Sequence, residues 1–321
     1  MDSWSTQLHR NVWLRSIDLR FCSRYTSMIF LLISILLNTY LGVSFRVFSR
    51  FGFDLFQTIV FNYAFCVISG CIFSGHWPVG EQTLHQEFFP WALLMGALFI
   101  SVFNLIAWSS LKTGVTITQS ANRLSLVIPV LFAILFLNEQ MSALKAVGVL
   151  LAIPAVILVS KKSGERNAES LKAWEYLIPF ILFISSGVID TLTKFVQQGY
   201  LRHDADANSY LILGFMSAFV IGLLALVYLV SRGRKKFHPK NLLSGMLLGI
   251  PNYFSIFFLV KALQSNALSS SAIIPINNIG VLFLSAIIGM FIFKERLSRL
   301  NLVGLFCTLL AIFFIFLGDT V

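Results

Sequence analysis

The amino-acid sequence predicts an all-α integral membrane protein whose ten transmembrane helices form two inverted five-helix repeats. Three observations carry this prediction. The 321 residues are 57% hydrophobic and only 12% charged, with a mean hydropathy of +0.82, which is too apolar for a water-soluble protein. Ten long apolar runs follow one another along the chain. A loop sequence occurs twice, at residues 139–148 and 295–304.

The apolar runs set the number of membrane spans. Each has about 17–27 residues, enough for a helix to cross a hydrocarbon core about 30 Å thick. Because lipid offers no hydrogen-bond partners to the backbone, each run is expected to be a helix. The runs cover residues 28–46, 55–75, 88–110, 114–137, 144–160, 175–196, 209–230, 241–261, 267–293 and 299–317.

The repeated loop indicates that the chain arose by duplication. Glu-Gln-Met-Ser-Ala-Leu-Lys-Ala-Val-Gly at 139–148 returns as Glu-Arg-Leu-Ser-Arg-Leu-Asn-Leu-Val-Gly at 295–304, and each copy joins the last two spans of its half. Residues 110–113, at the end of span 3, likewise resemble residues 262–265, at the end of span 8. Because five spans are an odd number, the second half is expected to lie inverted relative to the first.

This duplication predicts four segments. A polar, basic N-terminal segment (1–27) precedes a first repeat (28–160), a basic linker (161–174) and a second repeat (175–317). The N-terminal segment contains four arginines and ends just before Met28. It is interpreted either as an interfacial basic helix or as a tail that takes no part in transport, with Met28 as an alternative start.

The distribution of positive charge predicts the orientation. Loops after odd-numbered spans carry fifteen lysines and arginines, whereas loops after even-numbered spans carry three, Lys145, Arg202 and Lys261. Since positive residues favour the cytoplasmic side, the odd loops are expected in the cytoplasm and both termini outside, in an inner or plasma membrane. The net charge of +10 is therefore an orientation signal and does not indicate nucleic-acid binding.

One pattern occurs in each half of the chain: a small-residue turn, a long helix, a Glu-x-hydrophobic-Ser loop and a glycine-containing closing helix. Together with the ten spans, this pattern resembles the drug/metabolite transporter superfamily. It is most similar to the EamA-type ten-span transporters. The resemblance covers about Met28 to Leu317. It implies a secondary active transporter that works by alternating access and needs no cofactor. The expected substrate is a small polar metabolite, amino-acid-like or anionic if Arg123 contacts it. The resemblance also implies that spans 3 and 8 line the cavity.

Arg123 is the strongest candidate for a solute contact. It lies about 13 Å into span 4, and a cation at that depth needs a wet cavity or a partner. Gln119 and Asn122 lie beside it in the sequence. A guanidinium can bind a carboxylate or phosphate of a substrate. The alternative is a structural clamp onto helix carbonyls or onto Asp190.

Asp190 is the acidic residue deep within a span, in span 6. Proton coupling requires a buried carboxylate that exchanges a proton near neutral pH, which makes Asp190 the proton-coupling candidate. Lys194 follows one helical turn later, so a structural ion pair between the two is the alternative.

Further polar residues in the spans are candidate substrate contacts. Asn277 and Asn278 follow Pro275 in span 9, where a proline is expected to open the helix and expose carbonyl groups. Interhelical hydrogen bonding is the alternative role of these amides. The remaining candidates, on spans 3 and 8, are Asn104, Trp108, Asn252 and Tyr253.

Other residues are expected to have structural roles. Glu139 and Glu295 should organise loops, and Ser142 and Ser298 should cap the helices that follow. Seven glycines are expected to allow close helix approach: Gly42, Gly96, Gly148, Gly187, Gly249, Gly289 and Gly304.

The sequence argues against several other classes. All five histidines lie outside the spans, and the four cysteines show no CxxC pairing, so no metal, haem or disulfide is expected. No phosphate-binding loop occurs, and one acidic pair, Asp204 and Asp206, is too little for a metal-dependent lipid-modifying enzyme. A channel or facilitator stays the main alternative. The expected partners are a small-molecule substrate, the lipid bilayer and protons as candidate coupling ion, while monomer and dimer both stay open.

Overall fold

The computed structural model describes residues 3–75, 77, 83, 85–136, 140–160, 177–201, 204–264 and 270–320, and within these ranges the regular structure is helical. Nine stretches are long and apolar enough to cross a membrane, and Ala143–Val159 is a shorter apolar helix, so the described residues confirm the ten-helix membrane class. The helices are α1 Ser3–Arg50, α2 Leu55–Ser74, α3 Phe89–Lys112, α4 Val115–Leu124, α5 Val127–Phe136, α6 Ala143–Ser160, α7 Ile178–Gly199, α8 Asp204–Ser231, α9 Lys240–Gln264, α10 Ser270–Phe291 and α11 Arg299–Thr320.

The first helix and the fourth span depart from the simple span count. Helix α1 has 48 residues, so the backbone from Ser3 onward extends the first spanning helix and is not a separate interfacial helix. Helices α4 and α5 together form span 4, which is interrupted near Ser125. The linker 161–174 lies outside the described residues.

Helix packing follows the duplication. Under exchange of the two halves, α1 corresponds to α7, α2 to α8, α3 to α9, α4–α5 to α10, and α6 to α11. The contacts of α2 with α9 and of α3 with α8 exchange with each other, while the pairs α2–α8, α4–α10 and α6–α11 each map onto themselves. This is the packing expected of two halves related by a two-fold axis in the membrane plane.

The glycine contacts show the same relation residue by residue. Gly70 lies against Ile212, and Gly222 lies against Val60, with 152 positions separating each residue from its counterpart. The same shift relates the contact of Gly187 with Ile128 to that of Gly280 with Ile35. All seven glycines predicted to allow close approach lie against a side chain or backbone of another helix, which confirms that role.

The basic loops meet at one face of the helix bundle, called here the basic face. Lys235, after α8, forms an ion pair with Asp54, before α2, and Lys240 donates to the carbonyl of Gly52. Arg46, at the end of α1, contacts Glu295, after α10. The loops after spans 1, 7 and 9 therefore lie together, as their parity requires. Which side of the membrane this face occupies stays a prediction.

Side-chain caps begin several of the helices. Asp54 accepts from the Gln57 N–H at the start of α2. Ser142 accepts from the Lys145 N–H before α6, and Ser298 accepts from the Asn301 N–H before α11, so both predicted serine caps are confirmed. Glu139 lies outside the described residues.

The contact between α6 and α11 gives the first test of this packing. A Cβ at Gly304 of α11 would approach the backbone nitrogen of Val159 of α6 to 2.5 Å, so the two helices must separate to admit it. We expect Gly304→Ala to lower the free energy of unfolding by about 1–3 kcal/mol, as overpacking does. Gly199→Ala is the control, because a Cβ there meets nothing within 4 Å. Thermal unfolding of both variants in detergent measures the difference, and equal melting temperatures would contradict the packing argument.

Candidate functional site

A break in span 4 places its polar residues near mid-membrane. Pro129 lacks the N–H that would bond to the carbonyl of Ser125, and its ring clashes with that carbonyl, so the helix is interrupted at this turn. The Ile128 N–H bonds to the Ser125 carbonyl instead, at 2.9 Å. Pro275 was expected to open span 9 in the same way, but α10 continues through it, so that expectation is wrong.

Arg123 lies at the end of α4, two residues before the break. Its Nη1 donates to Oδ1 of Asn278 at 3.2 Å, and its Nη2 donates to Oδ1 of Asn38 at 3.3 Å, while its buried Nε has no partner. The guanidinium thus joins α4 to α10 and α1. These amides neutralise no charge, so Arg123 keeps its ability to bind an anionic group.

A cavity of about 110 Å³ lies beside α4. Both halves of the chain line it, since α2, α3 and α4 face α7 across it. Its polar lining includes Asn122, Ser186 and Asp190, and its aromatic lining includes Tyr63, Phe99 and Phe103. The space suits a small solute or several waters.

Asp190 is exposed toward this cavity. The lipid-facing side of α7 carries Ile181, Ile184 and Val188, and Asp190 lies off that side. Its Oδ2 accepts from the Ser125 hydroxyl at 3.1 Å. The carboxylate and the guanidinium of Arg123 are near enough to interact electrostatically. The ion pair of Asp190 with Lys194 stays a prediction.

Ser186 lies one turn before Asp190 on α7. Its residue is only 5% exposed, and its buried hydroxyl has no hydrogen-bond partner. An unsatisfied buried hydroxyl costs about 1–3 kcal/mol, so a polar ligand or a conformational change that satisfies it is favourable. This residue is the clearest feature of the site that sequence reasoning missed.

A second polar cluster, called here the Ser34 cluster, lies where α1 meets α9 and α10. It contains Ser34, Asn38 and Asn277. The Ser34 hydroxyl can donate to the Ser255 carbonyl at 2.9 Å and to Oδ1 of Asn277 at 3.3 Å, while Asn38 Nδ2 donates to the Ser34 carbonyl at 3.0 Å. Here the polar groups satisfy one another through direct hydrogen bonds.

The other predicted contacts do not line the cavity. Asn252 Nδ2 donates to Oδ1 of Asn62 at 3.2 Å, and Asn104 Nδ2 donates to the Ile100 carbonyl of its own helix at 2.7 Å. Tyr253 packs among phenylalanines of α2 and α9. The lining includes Asn122 and Asp190 but not the other predicted residues Arg123, Gln119, Asn104, Trp108, Asn252, Tyr253, Asn277 and Asn278.

A repeated pattern in the sequence could have identified the missed serine. Ser34-x-x-x-Asn38-Thr39 in span 1 matches Ser186-x-x-x-Asp190-Thr191 in span 6 at the shift of 152 positions. The match makes the Ser34 cluster and the cavity counterparts in the two halves. Asn38 is thus the neutral counterpart of Asp190.

Glu295 of the second repeated loop holds the start of α4. Its carboxylate accepts from the backbone N–H groups of Val115 at 2.6 Å and Thr116 at 3.1 Å, and it forms the ion pair with Arg46. Carboxylates at a helix N-terminus satisfy free N–H groups and favour the helix dipole. Gly114 and Gly289 leave room for this carboxylate, since a Cβ on either would collide with it. The expected structural role of Glu295 is thereby observed.

Comparisons with known proteins agree with this architecture. Residues 174–317 match the model of the EamA-like transporter family, which confirms the resemblance seen in the repeated loop. An uncharacterized protein of Haemophilus influenzae is 28% identical over 302 residues, which are 91% of this chain and 98% of that protein. A solved crystal structure with 13% identity superposes with a TM-score of 0.57 over 92% of this chain and 98% of its own, which shows the shared fold.

Proposed function

We propose that this membrane protein is a secondary carrier that moves a small polar metabolite by alternating access. The match of residues 174–317 to the EamA-like transporter family supports this. The single observation that supports this most is the cavity. It lies midway along the spans, between the two inverted halves, where carriers of this architecture bind their substrates.

The polar groups around α4 favour an amino-acid-like substrate over a purely anionic one. Asp190 of α7 faces the cavity and would bind an ammonium group. Arg123 of α4 would bind a carboxylate once it leaves the amides of Asn38 and Asn278. An anionic substrate would use Arg123 alone. The aromatic side chains Tyr63, Phe99 and Phe103 would contact the apolar part of the solute.

Protons are the proposed coupling ion. Asp190 is the carboxylate that lines the cavity, and a carrier couples to protons when one carboxylate is shared by proton and substrate. The membrane is proposed to be the inner or plasma membrane, with both termini outside. A reporter that is active only in the cytoplasm, fused after Val321, should be silent, and an active fusion would reverse the orientation.

Counterflow into liposomes tests the proposed function. Purified protein is reconstituted, the liposomes are loaded with an unlabelled amino acid, and uptake of the same labelled amino acid is followed over a panel of amino acids and dicarboxylates. A carrier gives transient, saturable accumulation for at least one member. A channel, the alternative function, gives fast and unsaturable flux without accumulation, and that result would overturn the proposal. A panel with no response is extended by thermal-shift screening before flux is measured again.

A further inference from the structure

The cavity and the Ser34 cluster are built from equivalent residues in the two halves. The shift of 152 positions that relates Gly187–Ile128 to Ile35–Gly280 also relates Ser34 to Ser186 and Asn38 to Asp190. It relates Ser125, which donates to Asp190, to Asn277. These residues therefore occupy matching places about the two-fold axis.

Their conformations nevertheless differ. In the Ser34 cluster the serine hydroxyl donates to the carbonyl of Ser255 on α9, and α1 lies closely along α9. The counterpart of Ser255 is Phe103 on α3. Ser186 makes no such bond to Phe103, and the cavity occupies the space between the two residues. One site is closed by hydrogen bonds, and its counterpart is open with its hydroxyl unsatisfied.

We propose that these are the two forms of one pocket, and that the second conformation of the carrier exchanges them. In that conformation Ser186 donates to the Phe103 carbonyl and closes the cavity at Asp190. Ser34 leaves the Ser255 carbonyl, and a second pocket opens beside Asn38 and Asn277. The inference rests on the proposed function, since an exchange of the two sites is how inverted halves would produce alternating access.

The chemistry of the second pocket differs from that of the first. Asn38 stands where the cavity has Asp190, so the second pocket has no carboxylate of that pair. Opening it also separates Asn38 from the guanidinium of Arg123, which then has donors to offer. The second pocket would therefore hold the carboxylate or another oxyanion of the solute, whereas the first would hold a cationic group.

Two cysteine pairs test the exchange. Both are made in a chain whose four natural cysteines are replaced. Ser34→Cys with Ser255→Cys should form a disulfide in the conformation described here, and Ser186→Cys with Phe103→Cys should form one only in the second conformation. We expect both pairs to oxidise in membranes. When all four substitutions are combined, intact mass should show molecules with one disulfide or the other, and not with both.

A control set of cysteine pairs distinguishes mutual exclusion of the two disulfides from poor oxidation of the cysteines. The contacts of Gly70 with Ile212 and of Gly222 with Val60 are counterparts that coexist in this structure, so four cysteines at these positions should give molecules with two disulfides. Molecules that carry both the 34–255 and 186–103 disulfides would overturn the proposal, as would failure of the 186–103 pair alone.

A second measurement does not depend on disulfide geometry. Single Ser186→Cys and Ser34→Cys variants are treated with N-ethylmaleimide in the absence and in the presence of a substrate identified by counterflow. The substrate drives the carrier between its two conformations. Residue 186 should react at least about tenfold faster at rest, because it borders the cavity, whereas residue 34 is fully buried and its serine hydroxyl is hydrogen-bonded to the Ser255 carbonyl. Substrate should slow its reaction and speed that of residue 34; rates that rise or fall together would contradict the exchange. Saturable counterflow with unchanged reactivities would leave the carrier function standing and refute only the exchange.

Discussion

Replacing Asp190 by asparagine is expected to abolish most of the transport. The amide keeps the size of the side chain and can still accept from the Ser125 hydroxyl, so the fold should be retained. The negative charge that faces the cavity is lost. A charged hydrogen bond contributes about 1.5–3 kcal/mol, which corresponds to a tenfold or larger loss of affinity for an ammonium group. Initial rates of counterflow at several substrate concentrations measure this loss.

The pH profile of the same variant tests the coupling. If Asp190 carries the coupling proton, Asp190→Asn should keep residual exchange that is constant between about pH 5.5 and pH 8.5, and it should lose accumulation driven by a pH gradient. If Asp190 instead has a structural role, the variant should lose thermal stability and keep the wild-type pH profile. The matched control is Asn38→Asp at the counterpart position, which adds a carboxylate beside Arg123 and should leave the cavity unchanged.

The fold could be predicted because its determinants are local in the sequence. Span number depends on the length of apolar runs, and the serine caps depend on side chains three residues from the N–H groups they bind. Span parity alone predicted that the loops after spans 1 and 7 lie on the same face, and the ion pair of Asp54 with Lys235 joins these loops. The extension of α1 to Ser3 could not be predicted in this way, because a polar, arginine-containing segment fits a helix and a tail equally well.

The site was only partly predictable, because it depends on which helix faces reach one another. Arg123 and Asp190 stood out as charges within apolar runs, and the structure places both near α4. That Arg123 bonds to Asn38 and Asn278 depends on contacts among three helices that the sequence does not order. Pro275 had no effect on its helix comparable to that of Pro129, although the local rule is the same for both.

Replacing Glu295 by alanine is expected to cause the largest loss of stability. The carboxylate is only 7% exposed and binds two N–H groups of α4 together with Arg46, so its removal leaves all three without their shared acceptor. Loss of a helix cap and of one partner of a largely buried ion pair should lower the free energy of unfolding by about 3 kcal/mol. Because α4 also carries Arg123 and Asn122, transport should fall as well. Thermal unfolding in detergent and counterflow measure the two effects.

The second ion pair of the basic face provides the matched control. Asp54 pairs with Lys235, but both side chains are about a quarter to a third exposed, at 26% and 32%. Asp54→Asn removes this charge and keeps a good N-cap for α2, so it should cost less than about 1 kcal/mol. If Asp54→Asn destabilised the protein as much as Glu295→Ala, net charge at the basic face would be the common cause. A much larger effect of Glu295→Ala would instead identify the contact between the second repeated loop and α4 as the tie between the two halves.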